Sequence, residues 1–412
     1  MARTPLADCF RIRLDDGLCR KTEAWRRDMN FDLTEEQKLI RDTVRRFAEQ
    51  EIAPRAADHD RAGRLPRELI TRLAALGFLG GPIPNEYGGS GLDYLSHAII
   101  TEEVGRADSS LRTTLSVQVS LVALSLVRWG TEEQKRRYLP ELCAGRLLGC
   151  FGLTEPNAGS DPAGMETAAV KRGERWVLNG TKTWISNATV ADLALVFAQT
   201  DPRQGHEGIA AFLIEKSTPG FSTRSITGKL GLRASDTGEL IFEDCSVPQE
   251  ALLGSAGRGF KVAMSALDNG RYSVAAGCVG IIQGCLDACT DYAKARKQFG
   301  RPIGSFQLVQ DMIARMAVDC DAARLLVYRA GHLKNQGLSS TLETSIAKYF
   351  ASEAAVRAST DAVQIFGAYG YSEETPVARY YRDAKVATIY EGTSQIQKLL
   401  IGSHLLGIRA FA

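Results

Sequence analysis

The sequence predicts a mixed α and β chain, mainly α, in the order helical, β, helical. Three observations carry this. Residues 31–150 hold capped segments with apolar residues at helical spacing. Near residue 150 the pattern changes to short β-rich runs broken by Gly, Pro, Asp and Ser. From about 258 to 409 long helical stretches return. The expected divisions are an extension at 1–28, a helical domain at 29–150, a β domain at 151–255 and a second helical domain at 256–412.

The first helix starts at a capping box, Thr34-Glu35-Glu36-Gln37, in which the Thr hydroxyl takes an orphan N–H and the Gln reaches back. Ile40, Val44 and Phe47 give it one apolar face, and Pro54 marks its expected end. Pro66 suits the first position of another helix, with Leu69, Ile70, Leu73 and Leu76 as its stripe and Gly77 closing it. Thr131-Glu132-Glu133-Gln134 repeats the capping box. In the β block, Asn179-Gly180 between two β-rich runs predicts a hairpin with a type I′ turn. Runs at 193–197, 209–214 and 240–242 read as further strands of an antiparallel domain. The stretch 259–298 lacks Pro and carries Ala263, Ala266, Ala275, Ala276, Gly277 and Gly280, small residues that permit close helix packing. Helices are also expected at about 303–336 and 341–366. Nowhere does a strand lead through a Gly-rich turn into a helix, which argues against a Rossmann fold.

Composition narrows the function classes. The chain has 412 residues, 50 Lys plus Arg against 48 Asp plus Glu, and a formal net charge of +2. That balance leaves no electrostatic footprint for nucleic acid or an anionic membrane. No apolar run is expected to approach the ~18 residues of a membrane span; the one at 121–127 ends at Arg128. Nine cysteines, at 9, 19, 143, 150, 245, 278, 285, 289 and 320, form no CxxC and read as free buried thiols in a reducing compartment. The five histidines show no metal-ligand spacing, so no metal site is expected. Residues 1–28 mix Arg with Asp and Glu, unlike a transit peptide, and Met29 opens what reads as a native start.

Five motifs together resemble one family. They are Phe151-Gly-Leu-Thr-Glu-Pro-Asn-Ala-Gly-Ser-Asp161, Trp184-Ile185-Ser186, Arg296-Lys-Gln-Phe-Gly300, Gln364-Ile-Phe-Gly-Ala-Tyr-Gly370 and Ile389-Tyr-Glu-Gly-Thr-Ser-Gln-Ile-Gln397. In this order they resemble the acyl-CoA dehydrogenases, from about Phe31 to Arg409. The resemblance implies a C-terminal four-helix bundle, bound FAD without a Rossmann fold, and oxidation of an acyl-CoA thioester to the trans-2-enoyl-CoA, as in β-oxidation. It also implies a homotetramer passing electrons to an electron-transfer flavoprotein, in the cytoplasm or, in a eukaryote, the mitochondrial matrix. An unactivated α C–H is a very weak acid, so a placed base is needed. The resemblance assigns that base to Glu391. Desolvation between apolar walls would raise its pKa. Some relatives carry the base on the helix of the Asp-x-x-Arg motif, here Asp268-Asn269-Gly270-Arg271, where the position falls on Gly270. Asp268 and Arg271 match contacts to the acyl-CoA, and Ser160 and Gly392 are further substrate candidates.

The flavin assignments follow residue by residue. Phe151, Leu153, Thr154, Gly159 and Ser160 match the loop over the flavin ring and pyrophosphate. Trp184, Ile185 and Ser186 match residues against the isoalloxazine. Arg296, Phe299, Gln307, Gln364, Gly367 and Ala368 match residues that hold a neighbouring subunit's FAD, and Thr393 and Gln395 match further flavin contacts.

Substrate class is less determined. The segment 149–167 resembles the glutaryl-CoA dehydrogenase branch, and Arg112 falls where that branch has an Arg facing the distal carboxylate. A guanidinium would hold that group bidentately. Gly105 replaces an acidic partner of that branch, and the ending Ser394-Gln395-Ile396-Gln397 is that of the general short- and medium-chain branch. A structural ion pair is the other reading of Arg112. The rival activities are a flavin monooxygenase and a DNA-binding flavoprotein of the same fold. The expected activity is general acyl-CoA dehydrogenation, with a dicarboxyl-CoA as the alternative substrate.

Overall fold

The computed structural model describes residues 32–410. The expected extension at 1–28 lies outside the described residues, as do Cys9 and Cys19. Residues 32–39 carry the first capping box. Thr34 N donates to Gln37 Oε1 at 3.1 Å, and Gln37 N donates to Thr34 Oγ1 at 3.2 Å. They open helix α1 (Glu35–Phe47).

A π-helical turn, Ala48–Ile52, leads from α1 into α2 (Ala53–Ala62). Pro54 therefore does not end the helical run. It sits in the first turn of α2, where its missing N–H is not needed. Then come α3 (Arg67–Ala75), α4 (Tyr94–Ala107), α5 (Ser109–Ser116), α6 (Leu124–Trp129) and α7 (Glu132–Cys143), the last behind the Thr131/Gln134 capping box. Pro66 is the cap of α3 rather than its first residue. A π-helical segment, Val117–Ala123, joins α5 to α6 in one buried rod.

The middle region is a seven-stranded sheet of β1 (Gly149–Gly152), β2 (Ala168–Arg172), β3 (Arg175–Ser186), β4 (Leu193–Gln199), β5 (Ile209–Glu215), β6 (Phe221–Ser225) and β7 (Thr237–Pro248). Its order is β1-β4-β2-β3-β7-β6, with β5 on β4. Two expectations need correction. The sheet is not wholly antiparallel, because β1 runs parallel to β4 and β2 meets β4 in parallel. The Asn179-Gly180 hairpin does not form: both residues lie inside β3, at a register shift against β7. Asn179 spends its side chain across the sheet, where Asp244 N donates to its Oδ1 at 2.8 Å. Gly180 is needed because a Cβ there would lie 2.6 Å from Thr167 Oγ1. The hairpin turns instead between β2 and β3, where Gly173 has φ +61°.

The C-terminal region is helical: α8 (Gly259–Ala295), α9 (Gln307–Asn335), α10 (Thr341–Phe366), α11 (Pro376–Val386) and α12 (Ser394–Leu406). A short hairpin of β8 (Lys297–Gln298) and β9 (Arg301–Pro302) follows α8. The three long helices pack on one another around buried alanines, among them Ala275, Ala323, Ala351 and Ala355. Among the described residues two helices, Ser109–Trp129 and Gly259–Ala295, are long and apolar enough to cross a membrane, but 94% and 72% of their apolar windows are buried inside the fold. Among the described residues all seven cysteines are free and buried.

Candidate active site

Glu391 sits in the turn between α11 and α12. It has φ +53°, and Gly392 follows at φ +88°. A non-glycine residue in the left-handed region persists only where its surroundings hold it, and such positions cluster at functional sites. Here the surroundings are three side chains. Arg271 Nε donates to the Glu391 carbonyl at 3.1 Å, Gln397 Nε2 donates to the Glu391 and Gly392 carbonyls at 3.2 and 3.0 Å, and Lys348 Nζ donates to the Gly392 carbonyl at 2.8 Å. Thr393 caps α12 by accepting from Ile396 N. Two of the other residues with positive φ, Trp184 and Phe299, were also singled out in the sequence.

The turn therefore fixes the backbone and leaves the carboxylate free. Glu391 Oε2 is buried without a hydrogen-bond partner. Burial pushes the carboxyl up to about 7, against the pull of Arg271, Lys348 and Arg112. A carboxylate stripped of donors is a stronger base than one in water. Gly270 lies directly against it: a Cβ there would fall 2.0 Å from Glu391 Oε2.

Arg112, on α5, is 2% exposed. Its Nη2 donates to Tyr390 Oη at 2.7 Å, and Nη1 reaches Ser116 Oγ at 3.5 Å, the outer limit of a hydrogen bond. Ser116 Oγ pairs in turn with Ser273 Oγ at 2.7 Å. Among the described residues Arg112 Nε has no hydrogen-bond partner. No carboxylate among the described residues makes the ion pair considered for Arg112. Gly105, where an acid was the alternative, faces the Gly277 carbonyl and Arg112 Cγ. Arg271, by contrast, has an acid of its own, Asp268 at 3.2 Å.

The residues expected to meet a flavin divide into two groups. In the first, Thr183 N donates to the Thr154 carbonyl at 2.9 Å, which sets the 153–160 loop beside the irregular end of β3. There Trp184, at φ +59°, turns out of the sheet and is 62% exposed, with Ser186 half-buried next to it. Beneath the loop is a buried ion pair. Lys182 Nζ donates to Glu155 Oε1 at 2.6 Å and to the Leu153 carbonyl at 3.2 Å, and Glu155 accepts from Glu166 N and Thr167 N. Gly159 and Ser160 are exposed. An exposed indole at the strand end that meets Thr154, with half-buried Ser186 two residues on and open space at Gly159, suits a planar aromatic group carrying phosphates. Phe151, Leu153 and Ile185 are buried, Phe151 against Phe197 at 5.0 Å between ring centroids. Their side chains belong to the buried cores.

The second group surrounds the end of α10. Arg296 lies over the Tyr369 ring at 5.7 Å, Phe299 is 91% exposed in the β8–β9 turn, and Gln307, Gln364, Gly367 and Ala368 are exposed. No hydrogen bond, ion pair or ring contact among the described residues joins this group to Glu391. Gln395, on the first turn of α12, is also exposed.

Sequence reasoning missed Lys348, Gln397, Tyr390, Ser116 and the Lys182–Glu155 pair. Lys348 carried one usable signal: it is a lone cation in the apolar stripe of α10, between Ala347 and Ala351. Among the described residues no group of three or more His, Cys, Asp or Glu could hold a metal ion.

Family models for the acyl-CoA dehydrogenase N-terminal, middle and C-terminal domains match residues 34–146, 150–245 and 257–406. A short-chain specific acyl-CoA dehydrogenase of Clostridium acetobutylicum is 46% identical, over 92% of this chain and 100% of that protein. The structure of a glutaryl-CoA dehydrogenase in complex with glutaryl-CoA superposes with a TM-score of 0.90 at 44% identity, over 92% and 98% of the two chains. A Mycobacterium smegmatis glutaryl-CoA dehydrogenase in complex with FADH2 gives 0.88 at 35% identity, over 92% and 97%.

Proposed function

The chain belongs to the acyl-CoA dehydrogenase family, and from that premise we propose that it dehydrogenates a short dicarboxyl-CoA thioester of the glutaryl type, with Glu391 as the base. The acyl-CoA dehydrogenase activity is that of its relatives along the whole chain. The observation that carries the substrate class is Arg112, a buried guanidinium that no carboxylate among the described residues pairs with. Burying an unpaired charge is costly, and a ligand carboxylate would meet that cost. Tyr390 and Ser116 flank the guanidinium and have hydroxyls to offer the same group.

In this reading Glu391 Oε2 takes the α-proton. The unsolvated oxygen favours that step, and the clamp of Arg271, Gln397 and Lys348 keeps the carboxylate from drifting. Thr154, Ser160, Trp184 and Ser186 hold FAD, joined by Arg296, Phe299, Gln307, Gln364 and Gly367 of a neighbouring subunit. Bound FAD supplies the acceptor for the β-hydride. Asp268 and Arg271 line the approach of the thioester. Electrons leave to an electron-transfer flavoprotein, in the cytoplasm or mitochondrial matrix.

A short monocarboxyl thioester is the second reading. It is favoured by Tyr390, whose hydroxyl already accepts from Arg112. Anaerobic mixing of the purified enzyme with butyryl-, isobutyryl-, octanoyl- and glutaryl-CoA separates the two. Fastest flavin bleaching with glutaryl-CoA is expected. Faster bleaching with butyryl-CoA would overturn the dicarboxylate assignment, and no bleaching with any thioester would overturn the dehydrogenation chemistry.

A further inference from the structure

Arg112 lies against the backbone of α8 at Gly277. A Cβ on Gly277 would come within 2.6 Å of both Cδ and Nε of Arg112, and within 3.3 Å of its Cγ. Contacts below 3.0 Å force a shift, and here the struck atoms are the buried middle of the side chain rather than its free end. Across the slot, α4 presents Gly105, whose Cβ would lie 2.9 Å from the Gly277 carbonyl oxygen and 3.4 Å from Arg112 Cγ. Both glycines are interior helix residues, where glycine weakens a helix. Neither has a positive φ that would call for glycine. What they provide is room.

That room decides where the guanidinium goes. The stem of Arg112 runs through the slot, and its end emerges toward Tyr390 Oη and Ser116 Oγ. A methyl group on α8 would push the stem aside and swing the charged end off those two hydroxyls. We infer that Gly277 is a specificity-determining residue: the space it leaves holds Arg112 where its guanidinium meets the far end of the acyl chain. The inference rests on the dicarboxylate reading above and adds to it the residue that places the arginine. Gly277 acts through Arg112 and touches no reacting atom.

A double-mutant cycle on the full-length holoenzyme tests it, with Gly277→Ala, Arg112→Ala and the two combined. Ala at 112 removes the three atoms nearest to the new Cβ. Gly277→Ala alone is expected to lower kcat/KM for glutaryl-CoA by about tenfold or more and that for butyryl-CoA by about threefold or less. In the Arg112→Ala background the same change should have little further effect on either thioester. If Gly277→Ala yields no FAD-loaded protein, flavin content reads the cycle: recovery in the double variant supports the inference, and no recovery overturns it. An equal loss with both thioesters, or an equal loss in both backgrounds, would make Gly277 a helix-crossing residue only and overturn the inference. A wild-type enzyme without preference for glutaryl-CoA overturns the substrate reading, and the specificity role with it. A wild-type preference that survives Gly277→Ala overturns the Gly277 inference alone.

Discussion

Glu391 and Gly270 are in such close contact that a single methyl group on Gly270 would lie 2.0 Å from the carboxylate oxygen Oε2. Gly270 is the position at which the resemblance places the base in some relatives. Here the geometry admits only one of the two side chains. Gly270→Ala is therefore expected to displace the Glu391 carboxylate. Overpacking of this kind costs about 1–3 kcal/mol in stability. Misplacing the base should cost up to about 10²-fold in the rate of substrate-dependent flavin reduction. Stopped-flow bleaching at wild-type speed would show that the carboxylate has another place to go.

Glu391→Gln should keep the fold and the yellow colour and lose about 10²–10⁴-fold in flavin reduction. Its pH dependence follows from the raised carboxyl, at about 7. The ionised form is the base, so wild-type kcat/KM should rise with pH through about 7. Stability has the opposite sign. Between the ordinary value of 4.5 and about 7 the folded state holds a proton that the unfolded state has released, so this group's contribution falls as pH rises through that window. Thermal melting should then show Glu391→Gln more stable than wild type at pH 8, with the difference shrinking toward pH 5. A constant difference across that range would count against the raised pKa.

The Lys182–Glu155 pair anchors the 153–167 loop from below, with side-chain exposures of 0% and 4%. Lys182→Met leaves Glu155 charged and buried without its partner, a change that costs about 3–5 kcal/mol. Lower melting temperature and loss of FAD on gel filtration are expected together. FAD retained at the wild-type level would mean that the loop is held by its backbone bonds to Glu155 and Thr183.

These residues show what the sequence carried and what it hid. The capping boxes at Thr34 and Thr131 were legible because a cap is a contact between residues three apart. Glu391 was picked out by the resemblance of its motif, not by any local physical signal. Asn179-Gly180 misled because its signal is local: turn preference was overridden by Asp244 on β7 and by Thr167 just before β2. Lys348 and Gly277 act only through contacts with residues far along the chain, while Gln397 reaches back five and six residues to the turn before its own helix, a contact that no side-chain pattern announces. Gly277 looked like one small residue among many in α8, and nothing along the chain says that Arg112 lies across it.

Lys348 offers a further check on the base. Its ammonium is buried, burial lowers it to about 8, and Cys278, Glu391, Arg271 and Glu353 face it. It holds the Gly392 carbonyl and lowers the Glu391 carboxyl. Lys348→Met removes a neighbouring cation, so the acid limb of kcat/KM should move to higher pH, with kcat reduced by about tenfold as the turn loosens. A lower melting temperature with an unmoved pH profile would leave Lys348 a purely structural residue.

Arg112 decides the substrate class most directly. Arg112→Leu keeps much of the stem's volume and removes the charge. If the guanidinium meets a ligand carboxylate, glutaryl-CoA turnover should weaken and butyryl- or valeryl-CoA turnover improve, because an apolar tail no longer faces an unpaired buried charge. The combined swing in kcat/KM preference should be on the order of 2–5 kcal/mol, the range for truncating one partner of a buried hydrogen-bonded charge pair. The same change also frees Tyr390 from its bond to Nη2, so some loss common to all thioesters is expected through the neighbouring Glu391 turn. The ratio between the two classes of thioester cancels that shared loss and isolates the tail. Glutaryl-CoA turnover by the Leu variant that equals wild type would end the dicarboxylate assignment. It would leave Arg112 as the donor that orients Tyr390 beside the base.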